Sequence, residues 1–191
     1  MDTTNVDKFK ACVDGEDTLG AILAVSKMEV NSVYNELGGG TPLTYTANTD
    51  NISLLMALID MGADVNMRDM ENDAPLHCTD TLEIAELLVE AGADVKARNG
   101  GNITLLHGIH SAEMAKLFIQ AGADPNAEDE DRCTPLHRAV SVGNVLTAQV
   151  LLEAGALLDV VNNDGYTPLH LAYENGHPLS SLVNLGTRIS V

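Results

Sequence analysis

The chain has 191 residues, 45% of them hydrophobic, and this composition excludes an intrinsically disordered protein. Its 28 acidic and 10 basic side chains give a net charge of −18, which repels phosphate and argues against a nucleic-acid partner. The three cysteines are scattered and no apolar run can span a bilayer, so we expect a reducing compartment and neither a signal peptide nor a membrane segment.

The first forty residues are predicted to form an N-terminal capping helix and a capping repeat. We place the helix around Val6–Val13. Gly20 and Gly38 lie 18 residues apart, which is the distance from the tetrapeptide to the glycine that ends the second helix in the short repeats described next, and apolar residues at 28–34 are in the phase of buried positions. The glycines at 38–40 are predicted to join this unit directly to the following one, without a polar finger between them.

Residues 41–191 are predicted to be a series of repeats, because two short motifs return in constant phase. The first is a tetrapeptide found as Thr41-Pro42-Leu43-Thr44, Ala74-Pro75-Leu76-His77, Thr104-Leu105-Leu106-His107, Thr134-Pro135-Leu136-His137 and Thr167-Pro168-Leu169-His170. The second is a Gly-Ala pair found at Gly62-Ala63, Gly92-Ala93, Gly122-Ala123 and Gly155-Ala156. Each of these glycines lies 12 residues before the next tetrapeptide, and such a period is typical of a repeat protein.

Each repeat is predicted to hold two helices and a polar, hairpin-like finger. The tetrapeptide begins the first helix, and the Gly-Ala pair ends the second, since glycine favours a left-handed cap. Helical spacing predicts that Leu87 and Leu117 are buried in second helices. The repeats starting at Ala74 and Thr104 are three residues short, so their first helices should be about one turn shorter than that of the repeat at Thr134.

Several positions depart from the common pattern. Asp80 and Ser111 are predicted to begin the second helices of the two short repeats. Arg132 stands where the last repeat has a finger glycine, so its finger must distort or accept strain. The unit starting at Thr167 is predicted to be a C-terminal cap, because Pro178 shifts its final helix.

A unit of two helices and a finger, opened by Thr-Pro-Leu-His, resembles the ankyrin repeat over roughly residues 41–191. The resemblance implies an all-α fold with short β-hairpin fingers, an ankyrin-repeat α-solenoid in which some repeats are shortened to 30 residues. It also implies that His77, His107, His137 and His170 hydrogen-bond the backbone of the adjacent finger, which is a structural role.

The sequence gives no sufficient catalytic or metal-binding pattern, so we expect no enzyme, no cofactor and no metal. His107 and His110 have a spacing that two metal ligands can use, but no third ligand is near them in the sequence. The residues from Asp124 to Glu128 mimic the start of a calcium loop, but Asp129 stands where that loop requires glycine.

In the ankyrin family the finger tips and the exposed side of the first helices bind partners. The residues of this chain that we expect on such a surface are Met70, Glu71, Asp73, Ile103, Glu130, Asp131, Cys133, Ser141, Val142, Asp164, Tyr166, Tyr173 and Glu174. Because the charged members are acidic, we expect another protein with a basic or mixed-charge surface as the partner. We expect no nucleic acid or membrane partner and a monomeric chain on its own.

Two functional contexts stay open at this point. One is an adaptor or effector that redirects a cellular protein, in the cytoplasm or in the cytosol of a host cell if the effector is translocated. The other is an inhibitor or immunity-type protein that sequesters a toxin or an enzyme. An enzyme or a metal-binding protein is a distant third interpretation.

Overall fold

A computed structural model describes residues 3–109 and 111–176 of the chain. The predictions made for His110 and for Pro178 therefore lie outside the described residues. The chain divides into two compact units, residues 1–94 and 95–191. The predicted boundary between a capping region and the repeats, at residues 40 and 41, stays a prediction.

The regular secondary structure of the described residues is helical, and none of these residues forms a strand. The helices of the first unit are α1 (Thr3–Asp14), α2 (Thr18–Val25), α3 (Pro42–Ala47), α4 (Ile52–Asp60) and α5 (Leu82–Glu90). Those of the second unit are α6 (Ala112–Gln120), α7 (Pro135–Ser141), α8 (Val145–Glu153) and α9 (Pro168–Glu174). Single 3₁₀ turns lie at Asn35–Leu37, Pro75–His77 and Leu105–His107. Within these limits, no helix is both long and apolar enough to cross a membrane.

The first helices of the two short repeats are about one turn shorter than α7, as predicted. Pro75–His77 and Leu105–His107 are three-residue 3₁₀ turns, whereas α7 has seven residues. The second helices α4, α5, α6 and α8 all keep nine residues. The missing residues are therefore taken from the first helix, because shortening the second would move its apolar side chains out of the core.

The N-terminal repeat differs from the prediction. Its helices are α1 and α2, and residues 28–34 do not form the expected second helix. A finger is present, because the N–H of Tyr34 donates to the carbonyl of Gly40 over 2.9 Å. The prediction took Gly38 as the end of the second helix, but this glycine (φ +67°) belongs to the finger. The second helix, α2, therefore ends at Val25, well before the predicted end at Gly38.

Both helices of each repeat contribute to the core of its unit, and the second helices do so through one buried face. Ile84, Ala85 and Leu88 are buried in α5, and the equivalent Met114, Ala115 and Phe118 are buried in α6. Leu87 and Leu117 are only half-buried, so the prediction that they are core residues is wrong. Each lies about 100° round the helix from the fully buried residue that follows it, at the edge of the apolar face.

The structure confirms two of the three local predictions and corrects the third. Ser111 caps α6, and its Oγ accepts a hydrogen bond from the N–H of Met114 over 3.3 Å. Arg132 has a φ of +57°, a left-handed value that is strained for any residue other than glycine, as predicted. Asp80 does not cap α5, because the helix begins one residue later with Thr81 as its N-cap.

Candidate functional site

Four five-residue fingers share one hydrogen-bonded turn. The first residue of each accepts, through its side-chain oxygen, the N–H groups two and four positions later, and these first residues are Asp69, Asn99, Asp129 and Asn162. In the finger 129–133, Asp129 Oδ1 accepts from Asp131 N at 3.0 Å and from Cys133 N at 2.9 Å. The N–H of Asp129 also donates to the carbonyl of Cys133 over 3.0 Å. A short polar side chain at the first position therefore shapes the whole finger.

The fourth residue of every finger is in the left-handed region. These residues are Asn72, Asn102, Arg132 and Gly165, with φ between +57° and +80°. The turn leaves the second and third residues at the tip and brings the fifth back toward the repeat. We call the second and third positions the finger tip; the fourth residue beside it is also exposed in all four fingers.

The predicted site residues separate into three groups of different exposure. The exposed ones are Met70, Glu71, Glu130, Asp131, Ser141, Val142, Asp164, Tyr173 and Glu174. The half-buried ones are Asp73, Ile103 and Tyr166, all of them fifth residues of a finger. Cys133, the remaining fifth residue, is only 9% exposed. We therefore leave Cys133 out of the candidate surface, because its side chain packs inside the repeat.

The acidic finger of the second unit contains one buried and two exposed carboxylates. The side chain of Asp129 is 2% exposed and pairs with Arg138 over 2.7 Å. Burial alone would raise the pKa of Asp129, but the hydrogen bonds from Arg138 and from the N–H of Cys133 outweigh it and hold the pKa below its usual value. Glu130 and Asp131 project from the tip and provide the negative charge that an approaching molecule meets.

Hydrogen bonds to the next finger hold this acidic tip in place. The N–H of Asn163 donates to the carbonyl of Asp131 over 2.9 Å. The side-chain amide of Asn163 donates to the carbonyl of Glu130 over 3.2 Å. The backbone of the two acidic residues is thus fixed while their side chains stay exposed. A pre-ordered tip of this kind loses little conformational entropy when a partner binds.

His107 and His137 have the structural role that was predicted for them. Nδ1 of each ring accepts a backbone N–H at the start of its own repeat, so Nε2 carries the proton. Nε2 of His107 donates to the carbonyl of Cys133 over 2.9 Å, and Nε2 of His137 donates to that of Tyr166 over 3.1 Å. Burial lowers the pKa of both rings. They therefore join a repeat to the following finger as neutral side chains.

The exposed apolar residues of the site are few and lie apart in the sequence. Met70, at a tip of the first unit, is 70% exposed, and its N–H donates to the carbonyl of Gly39 over 3.0 Å. Val142 follows α7, and Tyr173 lies near the end of α9 with 75% of its surface exposed. Exposed apolar side chains of this size are candidate anchors for a partner.

One concave feature of the second unit lies on α9. A groove of about 450 Å³ is lined by Gly165, Tyr166, Leu169, His170, Tyr173 and Glu174. The rings of Tyr166 and His170 meet edge to face, with their centroids 6.4 Å apart. The groove thus combines an apolar floor with one carboxylate and one imidazole.

The sequence comparisons agree with this anatomy. A model described as ankyrin repeats in three copies matches residues 105–189, and a single ankyrin-repeat model matches residues 38–70, together more than half of the chain. The chain belongs to the ankyrin-repeat family. The predicted all-α ankyrin-repeat class is therefore confirmed. A search of curated proteins gives no match. Ankyrin repeats generally mediate protein–protein interaction and are not enzymes.

Sequence reasoning missed a set of asparagines that join consecutive ankyrin repeats. Asn31, Asn66 and Asn126 each donate from Nδ2 to a glycine carbonyl of the next repeat, over 2.9, 3.2 and 3.0 Å. Their Oδ1 atoms accept an N–H two residues beyond that glycine. We call these residues the asparagine ladder. The sequence contains a signal for these residues, because Asn66 and Asn126 both lie four residues after the glycine of a Gly-Ala pair.

Proposed function

We propose that this ankyrin-repeat chain is a non-enzymatic recognition module, an adaptor or effector that binds another protein through its finger tips and the exposed side of its first helices. The observation that supports this most directly is the acidic tip at Glu130 and Asp131. Its backbone is held by the neighbouring finger, while both carboxylates are exposed. Folding explains the buried Asp129 in the same finger, since that carboxylate organises the turn, but it does not explain the two exposed ones.

The charge of these surfaces favours a basic or mixed-charge partner. In the second unit the tips carry Glu130, Asp131 and Asp164, and in the first unit Met70 lies beside Glu71. The whole chain has a net charge of −18, so an approaching basic surface is attracted and an acidic or nucleic-acid surface is repelled. The same charge opposes self-association, which supports a monomer on its own. A cytoplasmic location, or the cytosol of a host cell, fits three cysteines outside any disulfide scaffold.

Charge reversal at the acidic tip tests the proposal. The Glu130→Lys/Asp131→Lys variant and the wild-type chain serve as paired baits, and proteins captured by the wild-type bait alone are identified by mass spectrometry. Glu86→Lys/Glu90→Lys changes the charge equally on the exposed side of α5 and serves as the control. The association rate of the captured protein should fall about tenfold with the tip variant, and this loss should shrink at high salt.

The proposal fails if the tip and control variants bind the partner equally well. Circular dichroism of each variant must first show the helical content of the wild-type chain. Equal effects of both variants would mean that the partner responds only to net charge and not to the finger tips.

A further inference from the structure

We propose that the groove on α9 binds an extended, basic segment of a partner protein, which lies there as a finger lies on the preceding repeat. This inference rests on the proposed function and assigns it a second contact, away from the acidic tip. Two successive repeats of the second unit carry the same pattern of residues, which is covered in one and open in the other.

The preceding repeat shows what such a surface accepts. The finger 162–166 follows this repeat, and its Tyr166 carbonyl accepts the Nε2 proton of His137 over 3.1 Å. The amide of Asn162 lies 3.5 Å from the sulfur of Cys133. Leu136, His137 and Val140 are consequently buried. An extended backbone segment with one carbonyl directed at the histidine thus completes this face.

The same positions of α9 are open. Leu169 is 37% exposed, whereas Leu136, the equivalent residue of α7, is fully buried. His170 and Tyr173 are exposed, although their counterparts in α7 are buried. Nδ1 of His170 accepts the N–H of Thr167 over 3.2 Å, so Nε2 carries a proton. Among the described residues no acceptor meets that Nε2 proton.

The chemistry of the groove specifies its occupant. Nε2 of His170 can donate to a carbonyl oxygen, which an extended peptide backbone supplies. Leu169 and Tyr173 offer a place for an apolar side chain between them. Glu174 lines the same groove and Asp164 adjoins it, so a lysine or arginine next to the apolar side chain is favoured. A second copy of this chain fits poorly, because it would bring another net charge of −18 to an acidic rim.

A designed peptide tests the groove directly on the full chain. The probe copies residues 157–167, the segment that contains the finger of the preceding repeat, with Asp159 and Asp164 of the peptide replaced by lysine. Its binding is followed by fluorescence anisotropy and by NMR shifts of the chain in 0.3 M salt. We expect saturable binding that perturbs the resonances of Leu169, His170 and Tyr173. The unaltered acidic copy should bind at least about fivefold more weakly.

Matched variants distinguish the groove from other sites. Tyr173→Ala should weaken binding of the basic peptide at least about fivefold. Leu146→Ala removes a similarly exposed apolar side chain from α8 and should leave binding unchanged. The tip variant Glu130→Lys/Asp131→Lys should change it less than about twofold, since exposed charges are screened at this salt concentration. If the peptide does not bind while the tip variant still weakens binding of the partner protein, this inference is wrong and the proposal for the acidic tip is unaffected.

Five results would overturn the proposal. They are the absence of binding at millimolar peptide, equal binding to the Tyr173→Ala variant, and shifts confined to residues outside the groove. The fourth is binding that appears only after deletion of residues 177–191, since the groove would then be occupied by the chain itself. A mass that rises to a dimer with concentration, and that the Tyr173→Ala variant loses, would likewise assign the groove to a second copy.

Discussion

Replacing Asn126 with alanine is expected to lower the free energy of unfolding by about 1–2 kcal/mol. The side chain makes two hydrogen bonds to the next repeat, from Nδ2 to the carbonyl of Gly155 at 3.0 Å and to Oδ1 from the N–H of Leu157 at 2.8 Å. Each such bond contributes about 0.5–1.5 kcal/mol. Both lie at the surface, where water can replace the lost partner, so we take the lower part of the range.

The converse substitution, which adds an asparagine at the equivalent position of another repeat, should raise the free energy of unfolding. Lys96 stands where the asparagine ladder has Asn66 in the repeat before it, and its amine cannot accept a hydrogen bond. Its side chain lies close to Gly122, 3.8 Å from where a Cβ would be. Lys96→Asn should join its repeat to the next one, through the carbonyl of Gly122 and the N–H of Asp124, and should stabilise the protein by about 1 kcal/mol.

Urea denaturation followed by circular dichroism measures both changes. Asn48→Ala, at the exposed end of α3, is the control for the loss of an asparagine outside the ladder. In a repeat protein the free energy is close to a sum of repeat and interface terms, so the two ladder variants should act independently. An Asn126→Ala variant as stable as the Asn48→Ala control, together with a Lys96→Asn variant no more stable than wild type, would refute the ladder as a stabilising element.

Three further predictions concern the core, the histidines and the thiols. Leu88→Ala should cost about 2–5 kcal/mol and Leu87→Ala clearly less, because only Leu88 is fully buried; urea denaturation measures both. Burial lowers the pKa of His137, so below pH 6.5 the unfolded chain binds a proton first and stability falls. His137→Gln should reduce this loss between pH 7 and 5, as measured by urea denaturation at each pH. Burial and nearby carboxylates raise the pKa of Cys78 to about 12, so the native thiol should react with iodoacetamide far more slowly than the unfolded one.

The repeat length and the internal proportions of each repeat were predictable from the sequence. The tetrapeptide and the Gly-Ala pair fix both ends of a repeat, so a deficit of three residues between them must shorten one helix. The apolar spacing of the second helix is the same in every repeat, so the three missing residues cannot be missing from that helix. The structure agrees, since the first helix of both short repeats is reduced to one 3₁₀ turn.

The N-terminal repeat was not predictable in the same way, because it carries neither motif. Its first helix begins without Thr-Pro-Leu-His, and its second helix ends at Val25 without Gly-Ala. The glycines at 38–40 imitate a helix end, but Gly39 instead accepts a hydrogen bond from Met70 in the finger of the next repeat. The better marker was Asn31, since it is a member of the asparagine ladder.

The candidate surface was only partly predictable, because sequence identifies a finger but not which of its side chains project. The four consecutive acidic residues from Glu128 to Asp131 look alike in a sequence. Glu128 pairs with the exposed Arg132 over 3.3 Å, an ion pair of small energetic value. Asp129 is buried and organises the turn, so a change there would report on folding. Glu130 and Asp131 take part in the finger through backbone atoms alone, apart from the distant approach of Asp131 to Arg138 at 4.0 Å. Their carboxylates are thus available for recognition. Of the four acidic residues, these two are therefore the ones whose substitution can separate binding from folding.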